Sequence, residues 1–184
     1  MKKKLLIGLA SVIGIFILIG IIAIATAPEE QPTQIQPPAE TTEPVSPPTT
    51  PEKPAITIAE QAYVNAVVDQ AMEIGKVFTN LGPLLQDFKY GNDEWTLQVA
   101  AQLVTVRMLY DEAMELDPPS SMAEIHLKYT QGMKAYNDMT YLLTQGIDDL
   151  DATLVEEAGT KMETGTRFIN EATQLVLEFK ETHK

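Results

Sequence analysis

Cysteine is absent from all 184 residues. That removes disulfides, thiolate nucleophiles, iron–sulfur clusters, covalently attached haem c and acylation at a lipobox. Positive charge is scarce: 13 Lys+Arg face 26 Asp+Glu, a formal net of −13. A surface so acidic is repelled by phosphate backbones and anionic headgroups, which excludes nucleic acid as a partner. Histidine occurs only at His126 and His183, and beyond residue 54 serine occurs only at Ser120 and Ser121, so a catalytic triad has little to be built from. A di-iron or di-manganese carboxylate bundle needs Glu-x-x-His on two helices, and the sequence has none, since Glu124 and His126 stand only two apart. Gly-rich phosphate loops, paired nucleophile and base, zinc-ligand spacings and alternating runs of strand length are missing as well.

What is present divides into three physically different stretches. Lys2, Lys3 and Lys4 form a basic tip over residues 1–4, followed by residues 5–27, LLIGLASVIGIFILIGIIAIATA, with no charged side chain. As a helix this run is roughly 34 Å long, enough for a hydrocarbon core of ~30 Å. A cleaved secretory signal is the competing reading, because Ala25-Thr26-Ala27 resembles a cleavage site. The run is longer than the ~7–15 apolar residues of a signal core, and Pro28 would follow the cut, so an uncleaved anchor is expected. The Lys cluster keeps the N-terminus cytoplasmic and sends residues 28–184 outside. Residues 28–54 hold nine of the twelve prolines, five Glu and one Lys. Such a stretch buries too little to offset its ordering entropy, and reads as an extended linker of up to about 80 Å. A Pro-rich peptide ligand is the alternative use of the same composition.

Residues 55–184 carry 9 basic and 21 acidic side chains, a net of −12, and have the length of one ordinary domain. Four helices are expected, at about 58–81, 94–116, 122–146 and 152–181. The first opens on a capping box, Thr57 with Glu60, and carries Tyr63, Val67, Ala71, Ile74, Phe78 and Leu81 on one face until Gly82-Pro83 interrupts it. The second begins near Asn92-Asp93-Glu94, presents Trp95, Val99, Leu103, Val106, Tyr110 and Ala113, and stops at Asp117-Pro118-Pro119. Ser121 and Glu124 read as a second capping box, opening a third helix on which His126, Met133, Thr140 and Ile147 recur at sevens beside Tyr129, Tyr136 and Leu143. Asp151 reads as the N-cap of the fourth, where Met162, Ile169 and Val176 alternate with Ala158, Gly165, Ala172 and Phe179. Small residues in that second seam allow a neighbouring helix to approach closely, an offset to the roughly 1 kcal/mol that Gly165 costs in propensity. Short connections favour an all-α, antiparallel up-down-up-down four-helix bundle on a Pro-rich stalk with one N-terminal transmembrane helix.

The run PPSSMAEIHLKYTQGMKAYNDMTYLLTQGIDDLDATLVEEAGTKMETGTRFINEA, about a third of the chain, places a Pro-rich loop before His126-x-x-Tyr129, then Tyr136, Gly146-Ile147 and a last helix led by Asp151. This pattern resembles that of uncharacterised extracytoplasmic helical domains of archaea and bacteria. The resemblance implies a membrane-tethered surface protein with a helical bundle, and no activity.

Several residues are candidates for a site. Tyr129 and Tyr136, with His126 and Trp95, could line a ligand pocket between helices; core-edge packing with hydroxyls reaching water is the structural alternative. His126 with a Met could in principle hold a haem, although Met at helical spacing more often fills core gaps, and a partly buried, hydrogen-bonded His126 near a helix start is the favoured reading over a ligand. Asp148, Asp149 and Asp151 could attract Ca²⁺ or Mg²⁺, yet they lack EF-hand spacing, and capping explains Asp151. The expected function is therefore non-catalytic, without cofactor: an envelope interaction or scaffold protein attached to the membrane through residues 5–27. Its partner would be an envelope protein or wall polymer, with homo-oligomers open. A small-ligand sensor or binding subunit is the alternative, and a metal-dependent enzyme stands behind both.

Overall fold

At the start of the first helix two side chains satisfy each other's backbone. The Thr57 hydroxyl accepts from the Glu60 amide at 3.2 Å and the Glu60 carboxylate accepts from the Thr57 amide at 2.8 Å, which is the expected capping box. The computed structural model describes residues 55–183. These are all-α: α1 (Ile58–Gln86), α2 (Asp93–Glu115), α3 (Ala123–Asp148) and α4 (Ala152–Thr182) pack together, and no strand occurs among the described residues. The basic tip, the apolar segment 5–27 and the linker 28–54 lie outside the described residues. Within those described, no helix is long and apolar enough to cross a membrane.

The remaining helix boundaries have equally local causes. Asn92 caps α2 by accepting from the Trp95 amide at 2.8 Å. Asp151 caps α4 by accepting from the Thr153 amide at 2.8 Å. The same residue also closes α3. Its amide donates to the Gly146 carbonyl at 2.9 Å while the Leu150 amide donates to Ile147 at 3.3 Å, a Schellman pairing. Leu150 then sits at φ 53, the left-handed position where glycine is usual.

Two boundaries differ from the sequence expectation. Helix α1 does not break at Gly82-Pro83 but runs to Gln86. Gly82 has no Cβ to collide with the following proline ring, which relieves the clash that keeps most pre-proline residues out of helical backbone. Burial of Gly82 and Leu85 then favours continuing the turn. The second capping box is not formed. Ser120–Met122 makes a 3₁₀ turn, α3 starts at Ala123, and no side chain caps it.

The apolar faces meet as the periodicity suggests. Tyr63, Val67, Ile74, Phe78 and Leu81 of α1, and Trp95, Val99, Leu103, Val106 and Ala113 of α2, are buried. So are Tyr129, Met133, Tyr136, Thr140, Leu143 and Ile147 of α3, and Ala158, Met162, Ala172 and Val176 of α4. Helices α3 and α4 make the closest approach, at Gly132 and Gly165. A Cβ on Gly165 would lie 2.5 Å from the Tyr136 ring and 3.1 Å from the Gly132 carbonyl oxygen. The small-residue seam read from the last helix is this crossing. Lys128 reaches across it to Glu171 at 2.7 Å, and that hydrogen bond is the main cause of the lowered Glu171 pKa.

Candidate functional site

Helix α3 carries the polar residues that reach deepest into the bundle. At its start, Nδ1 of His126 lies 3.0 Å from the Tyr63 hydroxyl on α1, and which atom donates follows the imidazole tautomer. Burial lowers the His126 pKa, against an opposing pull from Asp117. The same burial raises the Tyr63 phenol well above its ordinary range. One turn along α3, the buried Tyr129 hydroxyl donates to Oε1 of Gln70 at 2.7 Å, and burial again raises the phenol. Further on, the Tyr136 hydroxyl meets the Thr166 hydroxyl of α4 at 3.2 Å. Its ring stands edge-on to Phe78, with centroids 4.8 Å apart. Burial pushes this phenol up to about 12, the Thr166 hydrogen bond working the other way.

A second cluster lies beside the first residue of this ladder. Glu60 accepts from the Thr57 amide and hydroxyl, both at 2.8 Å, and from the Ser121 hydroxyl at 2.5 Å. These hydrogen bonds, that of Ser121 foremost, hold its carboxyl below the usual range, and His183 adds a smaller electrostatic contribution. His183 itself stacks on Phe179 with centroids 4.0 Å apart. Glu60 thus does two jobs, completing the cap of α1 and tying it to the turn before α3.

Of the four residues expected to share a pocket, three share the core side of α3 and one does not. Trp95 sits at the start of α2, where its indole Nε1 donates to the Leu84 carbonyl at 2.7 Å and its ring meets Phe88 edge-on at 5.0 Å. The hydroxyls of Tyr129 and Tyr136 are not at a wet core edge but buried and paired within the fold. At the acidic end, Asp148 and Asp149 are exposed and Asp151 is a cap. Among the described residues no three His, Asp or Glu side chains gather in a way that could hold a metal ion.

Sequence reasoning did not reach the partners. Gln70, beside Ala71 on the α1 stripe, and Thr166, next to Gly165, are polar residues at the margin of an apolar face, and that position is the only local signal they carry. Arg107 was also missed. Its Nε donates to the buried Thr140 hydroxyl at 2.8 Å, and its guanidinium lies 4.1 Å from the Tyr141 ring centroid. Chemically the ladder holds protonated phenols and an imidazole whose charged form is disfavoured, beside a carboxylate made a weaker base by three hydrogen bonds. Among the described residues no buried side-chain nitrogen or oxygen lacks a hydrogen-bond partner. No protein-family model, curated protein or solved structure matches the chain.

Proposed function

We propose that the chain is a non-catalytic interaction protein of the cell envelope. Residues 5–27 anchor it once in the membrane with Lys2–Lys4 on the cytoplasmic side. Residues 28–54 form the stalk, and the helical domain is displayed outside. Its mechanism is presentation: a tether confines the domain near the membrane and raises its effective concentration toward partners there.

The observation that carries the non-catalytic reading is the engagement of the polar core. Tyr63 with His126, Gln70 with Tyr129, and Tyr136 with Thr166 form three hydrogen-bonded pairs across helices. The proposed up-down-up-down order is supported by where side chains cross. Gln70 reaches Glu112 near the end of α2 while Trp95 at its start reaches Leu84, and Lys128 early in α3 pairs with Glu171 late in α4.

Protease shaving tests the location. Protease added to intact cells lacking an outer barrier removes the domain, by cuts before residue 55, and leaves a membrane-associated N-terminal fragment. Protection of the whole chain until the cells are lysed would reverse the proposed orientation.

A further inference from the structure

The outer face of α2 departs from the rest of the domain in charge and in exposure. Between Glu94 and Asp111 the helix has no acidic side chain, the longest such stretch within residues 55–184, which otherwise carry 21 acidic against 9 basic residues. Trp95, Val99, Leu103 and Val106 already face the core. On the opposite side Leu97 (71%), Val104 (51%) and Met108 (57%) are exposed. Exposed Ala101 completes their spacing of four, three and four. That is the repeat of a helix–helix seam, here a second stripe on a helix whose first stripe is used. Gln98 and Thr105 flank it, and Arg107 holds exposed Tyr141 of α3 alongside.

We propose that this face docks a second copy of the chain, α2 against α2. Charge selects that occupant. Two domains of net −12 repel one another over most of their surfaces, and along this stripe they can approach without carboxylate meeting carboxylate. A basic partner would gain more on the acid-rich faces than on this one, which lacks carboxylates and is bordered by the Arg107 cation. Size is self-complementary as well, since the gap left by Ala101 accepts a larger side chain from the facing stripe. The seam from Leu97 to Met108 is only about 17 Å long, at the weak end of specific interfaces, below ~1,200 Å². Its use in the cell rests on the tethered reading above, because confinement on one membrane supplies the effective concentration that a weak contact needs.

The lack of cysteine in the chain gives a clean background for the test. The full chain carrying Val104→Cys is reconstituted in lipid vesicles and treated with a short bismaleimide, beside a Leu127→Cys control on α3, a position 53% exposed. Val104→Cys is expected to yield crosslinked dimer well above the control at equal surface density. Adding Leu97→Glu, which sets a like charge in both copies of the seam, should lower the yield about tenfold. Both substitutions fall on exposed positions, and an unchanged helical circular dichroism spectrum verifies folding. A Val104→Cys yield no higher than the Leu127→Cys control, or one indifferent to Leu97→Glu, overturns the proposal. Shaving of cells reads location independently: a domain exposed on cells that does not crosslink keeps the envelope reading and loses the self-docking.

Discussion

At the scale of single residues, the pairing of His126 with Tyr63 makes stability depend on pH in a definite direction. Burial holds the imidazole below its ordinary 6.5, so the folded state binds a proton less readily than the unfolded chain. Its contribution is complete above that value and is lost as pH falls from there toward the depressed one. Glu60, held below its ordinary 4.5 by Ser121 and Thr57, adds a second loss at still lower pH. The melting temperature, followed from about pH 7.5 to 3.5, is therefore expected to fall in two stages, and His126→Gln should remove the first while leaving the second. A wild-type curve flat between 6.5 and 4.5 would contradict a folded state that disfavours the charged imidazole. A partly buried, hydrogen-bonded His126 near a helix start was legible in the sequence and is what the fold shows, but its partner was not, because the heptad count places His126 on a stripe and is silent on Tyr63. Ser121 illustrates the reason. Its spacing to Glu124 is that of a capping box, yet its hydroxyl goes to Glu60, far away along the chain and adjacent only in the fold.

At the scale of elements, helix faces were legible because burial requires them to repeat. The seams of α3 and α4 were readable down to the small residue at 165, since a close helix crossing leaves room for little else. Gly165→Ala sets two effects against each other. Alanine favours helix by roughly 1 kcal/mol, while overpacking costs about 1–3 kcal/mol. The new methyl would meet the Tyr136 ring at 2.5 Å and the Gly132 carbonyl at 3.1 Å, and the latter is backbone and cannot swing aside. Destabilisation of up to about 2 kcal/mol is the expected balance, measured as a lower urea midpoint. A raised midpoint would mean that α3 and α4 separate at little cost. Helix ends were less legible than faces. Gly82 has no Cβ to meet the Pro83 ring and only three residues of α1 follow that proline, so the helix extends past the point where composition alone would end it.

For the whole molecule, α3 is the hub. It meets α1 through Tyr63–His126, Gln70–Tyr129 and Phe78–Tyr136, α2 through Arg107–Thr140, and α4 through Tyr136–Thr166 and Lys128–Glu171. Opening α3 therefore disturbs every neighbour, whereas an outer helix can loosen with fewer losses, and α3 amides are expected to exchange with solvent more slowly than those of α1, α2 or α4. Hydrogen-exchange mass spectrometry checks this, and faster exchange in α3 than in α1 or α2 would remove it from the centre. This hierarchy was out of reach of the sequence, because an amphipathic stripe shows which face of a helix is buried and not which helix the others surround. The Glu60 clip has a mechanical consequence. Tension entering from the chain ahead of Ala55 arrives at Thr57, and there α1 is fastened to Ser121 through Glu60 and, one turn on, to His126 through Tyr63. A pull is thus shared between two helices from the first turn instead of peeling one away, as a clamp relieves a cable where it enters its housing.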